Sequence, residues 1–365
     1  MPQYGYAGSI LDIDLTAQSV QYIPTPEEYR AEHLSGKALA ARIMLDTLTG
    51  AETALSEENI VVITSSLLAG TGAPGSSRFD IAAISPQDNR PAFSNCGGNF
   101  GLQLKKAGFD ALVLRGRCHK LSRLEISEKG AVLLDAAQLR GLDTDECLRR
   151  LADLCDGSYA AMCIGPAGEN MESDASVIAD GHSAGRAGLG AVLGFKQLKA
   201  ITVAGTKKCP IYDENEALKI CRSWNEQLKA LANKDSEGKY CTACPLHCPR
   251  RHRGENKRAD ALGKDGAKGS HEDKKERRRA GYDRIMSAFR PTENAGEFCK
   301  NYSEAVCTLG QCMFTVNGLV PDGDNRHLPA LLEAVTGEKF TICSLADIGK
   351  NCRLPETQLQ NRFGK

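Results

Sequence analysis

Residues 9–16, Ser-Ile-Leu-Asp-Ile-Asp-Leu-Thr, alternate apolar and polar positions. A period of two predicts a strand with one buried face. Gln18-Ser19 predicts a turn into a second strand over 20–23. Leu34, Leu39, Ile43 and Leu48 recur at helical spacing, which predicts a helix over 28–48. Short apolar runs at 60–63 and 111–114 predict buried strands, and 124–126 with 131–134 predicts a hairpin about Lys129-Gly130. Helical patterns follow at 143–155 and 190–198, a strand at 200–203, and a helix from 214 to about 233. Residues 250–279 are dominated by Lys, Arg, Glu, Asp and Gly, a composition that buries too little apolar surface to fold alone. Helical patterns resume at 295–306, 328–336 and 344–348, and no internal repeat is visible. The fold class expected is α+β, a β-rich first part followed by a reduced helical region.

Composition narrows the function classes. The chain has 365 residues and a formal net charge of zero, enough length for two domains and no whole-chain attraction to nucleic acid or anionic membrane. No apolar stretch approaches the roughly 20 residues of a spanning helix. The start, Met-Pro-Gln-Tyr-Gly, lacks a basic segment followed by an apolar run, so a cytoplasmic location is expected. Fifteen cysteines in such a compartment do not predict a disulfide scaffold. Cys155 and Cys163, in small or apolar surroundings, read as compact buried hydrophobes.

Three cysteines stand apart. Cys241, Cys244 and Cys248 are spaced to converge on one centre in a segment punctuated by Pro245 and Pro249. Soft thiolates select iron–sulfur clusters, zinc or cuprous copper, and a cubane needs a fourth ligand from elsewhere. His247 and His252 keep zinc open as an alternative.

Glycine-rich segments supply a second constellation. Residues 68–78 contain Gly-Thr-Gly-Ala-Pro-Gly-Ser-Ser-Arg78, without the Gly-Lys-Ser/Thr ending of a P-loop. Residues 94–101, Ser-Asn-Cys-Gly-Gly-Asn-Phe-Gly, precede a predicted helix at 102–107 whose N-terminus favours an anion. Residues 185–194 fail as a dinucleotide fingerprint, because the glycine spacing is wrong and no strand is evident before them. Together, three glycine-rich loops, two of them bearing an arginine, favour an anionic cofactor.

These blocks carry a resemblance. Residues 5–16, Leu68-Ala-Gly-Thr-Gly-Ala-Pro with Arg78, residues 94–114, Ile164-Gly-Pro-Ala-Gly-Glu-Asn170 and residues 182–201 resemble the aldehyde ferredoxin oxidoreductases. Those are tungsten or molybdenum enzymes with a bis-pyranopterin cofactor and one [4Fe–4S] cluster. The resemblance implies that Arg78, Asn95 and Arg186 contact the pterins and their phosphates, and that Gly97, Gly98, Ala187 and Gly188 line the same surface. It implies that Cys241, Cys244 and Cys248 hold the cluster. By similarity of Cys307-Thr-Leu-Gly-Gln-Cys312 to the family's Asp-x-x-Gly-Leu-Cys, Cys312 is the fourth ligand, with Cys307 next and Cys299 third. Residues 331–340 and 354–362 resemble the family's C-terminal segments.

The resemblance further implies oxidation of a small aldehyde to a carboxylic acid, with electrons passing through the cluster to ferredoxin or another carrier protein. It divides the chain into an N-terminal pterin-cradling domain at 1–207, a helical segment with the cluster motif at 208–249, a charged linker at 250–285 and a C-terminal helical remnant at 286–365. The interval between Cys248 and Cys312 is much shorter than the family's, and the acid/base Glu and His carried there have no matching motif. No catalytic residue is assigned. Glu304 and His327 are expected to be a solvated glutamate and a surface histidine. A shortened helical region predicts exposed apolar surface for a partner subunit or a homodimer contact. An alternative from another class is a non-catalytic iron–sulfur electron-transfer or assembly subunit, and a third is a zinc-stabilised binding module.

Overall fold

The computed structural model describes residues 4–32, 34–155, 157–230, 244–245, 294–313, 315–316 and 327–364. Two six-stranded sheets form the first two hundred residues. The first contains β1 (Ser9–Asp14), β2 (Ser19–Pro24), β3 (Val61–Ser65), β4 (Phe79–Ile84), β5 (Pro91–Cys96) and β6 (Ala111–Arg115), in the order β2-β1-β6-β3-β4-β5. The second contains β7 (Ser122–Ser127), β8 (Gly130–Asp135), β9 (Ala160–Ile164), β10 (Val177–Ala179), β11 (His182–Ser183) and β12 (Leu198–Val203). Its order is β11-β10-β9-β12-β7-β8.

Read from its other end, the second order is the first with every strand number raised by six. In each half an antiparallel hairpin opens, and the last strand runs parallel to the first and antiparallel to the third. The helices repeat as well. After α1 (Glu27–Ala31), α2 (Gly36–Thr47) precedes β3, and α3 (Phe100–Ala107) precedes β6. In the second half α4 (Thr144–Leu154) precedes β9, α5 (Pro166–Glu169) follows it, and α6 (Leu189–Phe195) precedes β12. The chain therefore does contain an internal repeat, one of topology that the sequence does not display.

Strand alternation builds the layers. On β4, Ile81 and Ala83 face a core shared by both sheets, α3 and α6. Ala82 and Ile84 face α2 and the C-terminal helices. The outer face of the second sheet, through Ala161, Cys163 and Ala200, packs on Cys147 and Leu151 of α4. The helices α7 (Glu214–Ala230), α8 (Ala295–Thr308), α9 (His327–Thr336) and α10 (Ile342–Phe363) close the first sheet's outer core. An α+β fold with a helical C-terminal region results. Among the described residues, no helix is long and apolar enough to cross a membrane.

Local capping signals set some of the boundaries. Asp143 caps α4 by accepting the Glu146 N–H at 2.8 Å, and Thr341 with Ser344 forms a capping box on α10. The helix predicted over 28–48 splits into α1 and α2, because tertiary partners claim the residues between. The Tyr6 hydroxyl donates to the Leu34 carbonyl, and Ser35 Oγ donates to the Thr308 carbonyl at 2.7 Å. The segment at 344–348 is the first part of a single 22-residue helix. Strands β4 and β9 were not predicted, since both are buried on every residue and show no alternation. The charged tract at 250–279 lies outside the described residues.

Candidate functional site

Antiparallel pairing of β4 with β5 sets Asn95 directly across from Asp80, and Arg78 stands one residue before β4. The Arg78 Nε–H donates to Asn95 Oδ1, and a terminal guanidinium nitrogen reaches the Asn95 carbonyl at 3.5 Å. Asn95 Nδ2 donates in turn to Asp80 Oδ2 at 2.9 Å. Asp80 is only 2% exposed. Burial pushes its carboxyl up to about 7, against the opposing pull of the Asn95 hydrogen bond and the Arg78 and Lys37 charges. Gly36, at φ +49°, opens α2 against this group. A Cβ there would stand 2.9 Å from Asp80 Oδ2 and 2.7 Å from the Thr308 carbonyl oxygen, so only glycine fits.

The repeat places Arg186, Ala187 and Gly188 at the point of the second half equivalent to Gly97 and Gly98 in the first. Gly97 and Gly98 lie between β5 and α3, while Arg186, Ala187 and Gly188 lie between β11 and α6. Arg186 is exposed, and its backbone N–H reaches Ser94 Oγ, the neighbour of Asn95, at 3.4 Å. Ser85 Oγ donates to the Ala187 carbonyl at 2.8 Å. The structure thus joins the arginine loops of both halves through adjacent residues of β5. The strand missing from the sequence reading before this segment is the two-residue β11.

One feature of the loop departs from expectation. The N-terminus of α3 was predicted to favour an anionic ligand, yet it already holds a carboxylate of the protein. Asp180 Oδ2 accepts the Asn99 N–H at 2.8 Å, and its Oδ1 accepts the Ala161 N–H at 3.1 Å. Asp180 therefore braces the Gly97-Gly98 turn from the second half.

The Cys307–Cys312 turn rests on the first glycine-rich loop. The Leu68 N–H donates to the Leu309 carbonyl at 3.2 Å, and Gln311 Nε2 donates to the Pro74 carbonyl at 2.6 Å. A Cβ on Gly75 would lie 3.3 Å from the Cys312 Cβ. The half-buried Cys244 packs against the core of the helical region. Cys241 and Cys248 lie outside the described residues. Among the described residues, no group of three or more His, Cys, Asp and Glu side chains is placed to hold a metal ion. Burial pushes the Cys307 thiol up to about 11 and raises that of Cys299.

Glu304 is not the solvated glutamate expected. It pairs with Lys37 at 2.8 Å, with its side chain 16% exposed, and Lys37 also pairs with Glu356 at 2.8 Å. His327 stacks on Trp224 with ring centroids 5.6 Å apart and hydrogen-bonds Gln227 at 3.0 Å. Sequence reasoning missed Asp80, Lys37 and Asp180. Only a strand register or a long-range contact links them to the predicted residues, and no local motif marks either.

A family model, the aldehyde ferredoxin oxidoreductase N-terminal domain, matches residues 10–205. The chain belongs to the aldehyde ferredoxin oxidoreductase family. It is 35% identical over 248 residues to a tungsten-containing aldehyde ferredoxin oxidoreductase of Thermococcus kodakarensis, covering 66% of this chain and 40% of that protein. Identity is 30% over 247 residues to an aliphatic sulfonate oxidoreductase, WOR-like subunit, of Pyrococcus furiosus, covering 62% of this chain and 39% of that protein. Among solved structures, the active site complex BamBC of benzoyl coenzyme A reductase, in complex with 1,5-dienoyl-CoA, aligns at a TM-score of 0.60 and 32% identity. That alignment covers 64% of this chain and 36% of the other. The chain thus spans about two fifths of the length of the curated relatives it matches. As a family member, it keeps the domain that carries the arginine loops.

Proposed function

We propose that this chain is an oxidoreductase of the aldehyde:ferredoxin type, in which a pterin-held tungsten or molybdenum oxidises a small aldehyde to a carboxylic acid. Electrons would leave through a [4Fe–4S] cluster to ferredoxin or a similar carrier. The observation that carries this reading is the meeting of the Arg78 and Arg186 loops, one from each half, through Ser94 and Asn95 of β5.

The residues present suit a flat, doubly anionic group. Arg78 and Arg186 supply one guanidinium from each half, matched to phosphate geometry. Gly97 and Ala187 add little side-chain bulk to the surface offered to the rings. Gly98 and Gly188 are demanded by the loops themselves, at φ +118° and +74°, where a Cβ would meet Asp180 and the Ser173 carbonyl respectively. Asn95 orients Arg78. Gln311 Oε1 is buried without a hydrogen-bond partner among the described residues, beside Cys312 and the glycine-rich loop. Cys241, Cys244, Cys248 and Cys312 would hold the cluster with thiolate donors of the required softness. When bound, the metallopterin supplies the two-electron chemistry, and the protein supplies position and charge.

Metal analysis of the full chain purified without oxygen tests this reading. Tungsten or molybdenum with about four irons per chain, together with aldehyde-dependent reduction of a viologen dye, is the expected result. Iron without tungsten or molybdenum would replace it with the electron-transfer or assembly role. Zinc alone would overturn both.

A further inference from the structure

We infer that Asp80 is a positioning residue for Arg78, fixing the guanidinium through the Asn95 amide so that it meets an anion with its terminal nitrogens. The inference deepens the anion-site reading above and rests on it.

The argument is one of hydrogen-bond polarity. A primary amide has one accepting end and one donating end. A carboxylate accepts and a guanidinium only donates. Asn95 stands between the two, so one orientation satisfies both neighbours, and it is the one observed: Nδ2 toward Asp80 Oδ2 at 2.9 Å, Oδ1 toward Arg78 Nε. With Nε so committed, the planar fork of Arg78 is held at one edge, while one terminal nitrogen reaches the Asn95 carbonyl. Removing Asp80 leaves Nδ2 only its long bond to the Phe79 carbonyl, at 3.4 Å, and so loosens the amide's hold on its orientation. Once turned, its NH2 would face a group that only donates, and the guanidinium would lose its fixed partner.

Asp80 is itself held. It is buried across the register from Asn95 and pressed by Gly36 at the amino end of α2. Arg78 and Lys37 act on it as positive charges and Glu304 as a negative one. Lys37 ties α2 to Glu304 on α8 and Glu356 on α10. The orientation of an arginine at the site is therefore coupled to the seating of the C-terminal helices, a link that no sequence motif joins.

The test uses the full chain labelled with 15N-arginine, with the Arg78 Nε–Hε resonance assigned as the one lost in Arg78→Lys. Hydrogen exchange at that position is expected to quicken about tenfold or more in Asp80→Ala and in Asn95→Ala, since each removes a link in the same hydrogen-bonded chain. The double variant should be no faster than Asn95→Ala, because Asp80 acts through Asn95. Asp80→Asn, whose amide oxygen can accept the same bond, should stay close to wild type. Asp80→Val, closer in bulk and without an acceptor, carries the same expectation as Asp80→Ala should that variant not fold. Exchange unchanged in Asp80→Ala, or additive loss in the double variant, would overturn the inference. In parallel, titration with inorganic pyrophosphate should weaken about tenfold in Asp80→Ala, as expected for a misplaced charge-assisted contact. Equal pyrophosphate binding by wild type and Arg78→Ala would instead overturn the anion-site reading, leaving the exchange result to stand for the positioning alone.

Discussion

Gln311 and Pro74 are joined by a 2.6 Å hydrogen bond from the side-chain amide to the main-chain carbonyl, across 237 residues of sequence. Both groups are buried. The bond seats the turn that carries Cys312 on the glycine-rich loop that ends at Arg78, and so brings the C-terminal helices to the β-rich base.

Replacing Gln311 with Leu leaves the Pro74 carbonyl without this donor. The expected cost is about 1–3 kcal/mol of unfolding free energy, the penalty of a buried acceptor without a partner. Chemical denaturation measures it. Stability equal to wild type would show that this contact does not fasten the two regions.

Cys312 is the fourth cluster ligand in the reading proposed above. Cys312→Ser should abolish the paramagnetic signal of the reduced cluster in protein prepared without oxygen, because a neutral hydroxyl is a poor substitute for thiolate on iron. An undiminished signal would move the assignment to Cys307 or Cys299.

Lys196 is buried and donates to the Gly116 carbonyl at 2.8 Å. Burial lowers its pKa from 10.5 to about 8, with Glu57 and Cys118 opposing the shift. Between those two values the unfolded chain binds more protons than the folded one, so this group makes stability rise with pH across that window. Relative to Lys196→Met, wild type should gain on the order of 3 kcal/mol from pH 8 to 10.5. A difference curve that is flat or falls there would refute the assignment.

Gly188 has φ +74°, and a Cβ on it would stand 2.1 Å from the Ser173 carbonyl oxygen. Gly188→Ala should destabilise the fold by at least about 2 kcal/mol, from the left-handed backbone and from a clash with main chain that has no rotamer to yield. Thermal unfolding of the variant checks this. A melting temperature within a degree of wild type would show that the turn relaxes freely.

Much of the base was legible in the chain. The alternation at 9–16 became β1, the apolar runs at 60–63 and 111–114 became β3 and β6, and Lys129-Gly130 became the β7–β8 turn. Each depends on neighbours within a few residues, which is where periodicity carries information. Cys163 proved to be the buried small hydrophobe expected, while Cys155 is only half-buried. Glu304 went the other way. Its partner Lys37 lies on α2, and nothing near Glu304 in sequence announces it.

By itself the sequence determined the α+β class, the glycine loops with Arg78 and Arg186, and membership of the family, because these reside in short ordered runs of residues. Tertiary structure alone decided that the two sheets repeat one topology, that the Arg78 and Arg186 loops meet at adjacent residues of β5, and that Asp80 stands behind Asn95. The reason is range. Strand order, register and buried pairing are set by contacts between residues tens to hundreds of positions apart, and a local pattern specifies which residues prefer burial without specifying what they will be buried against.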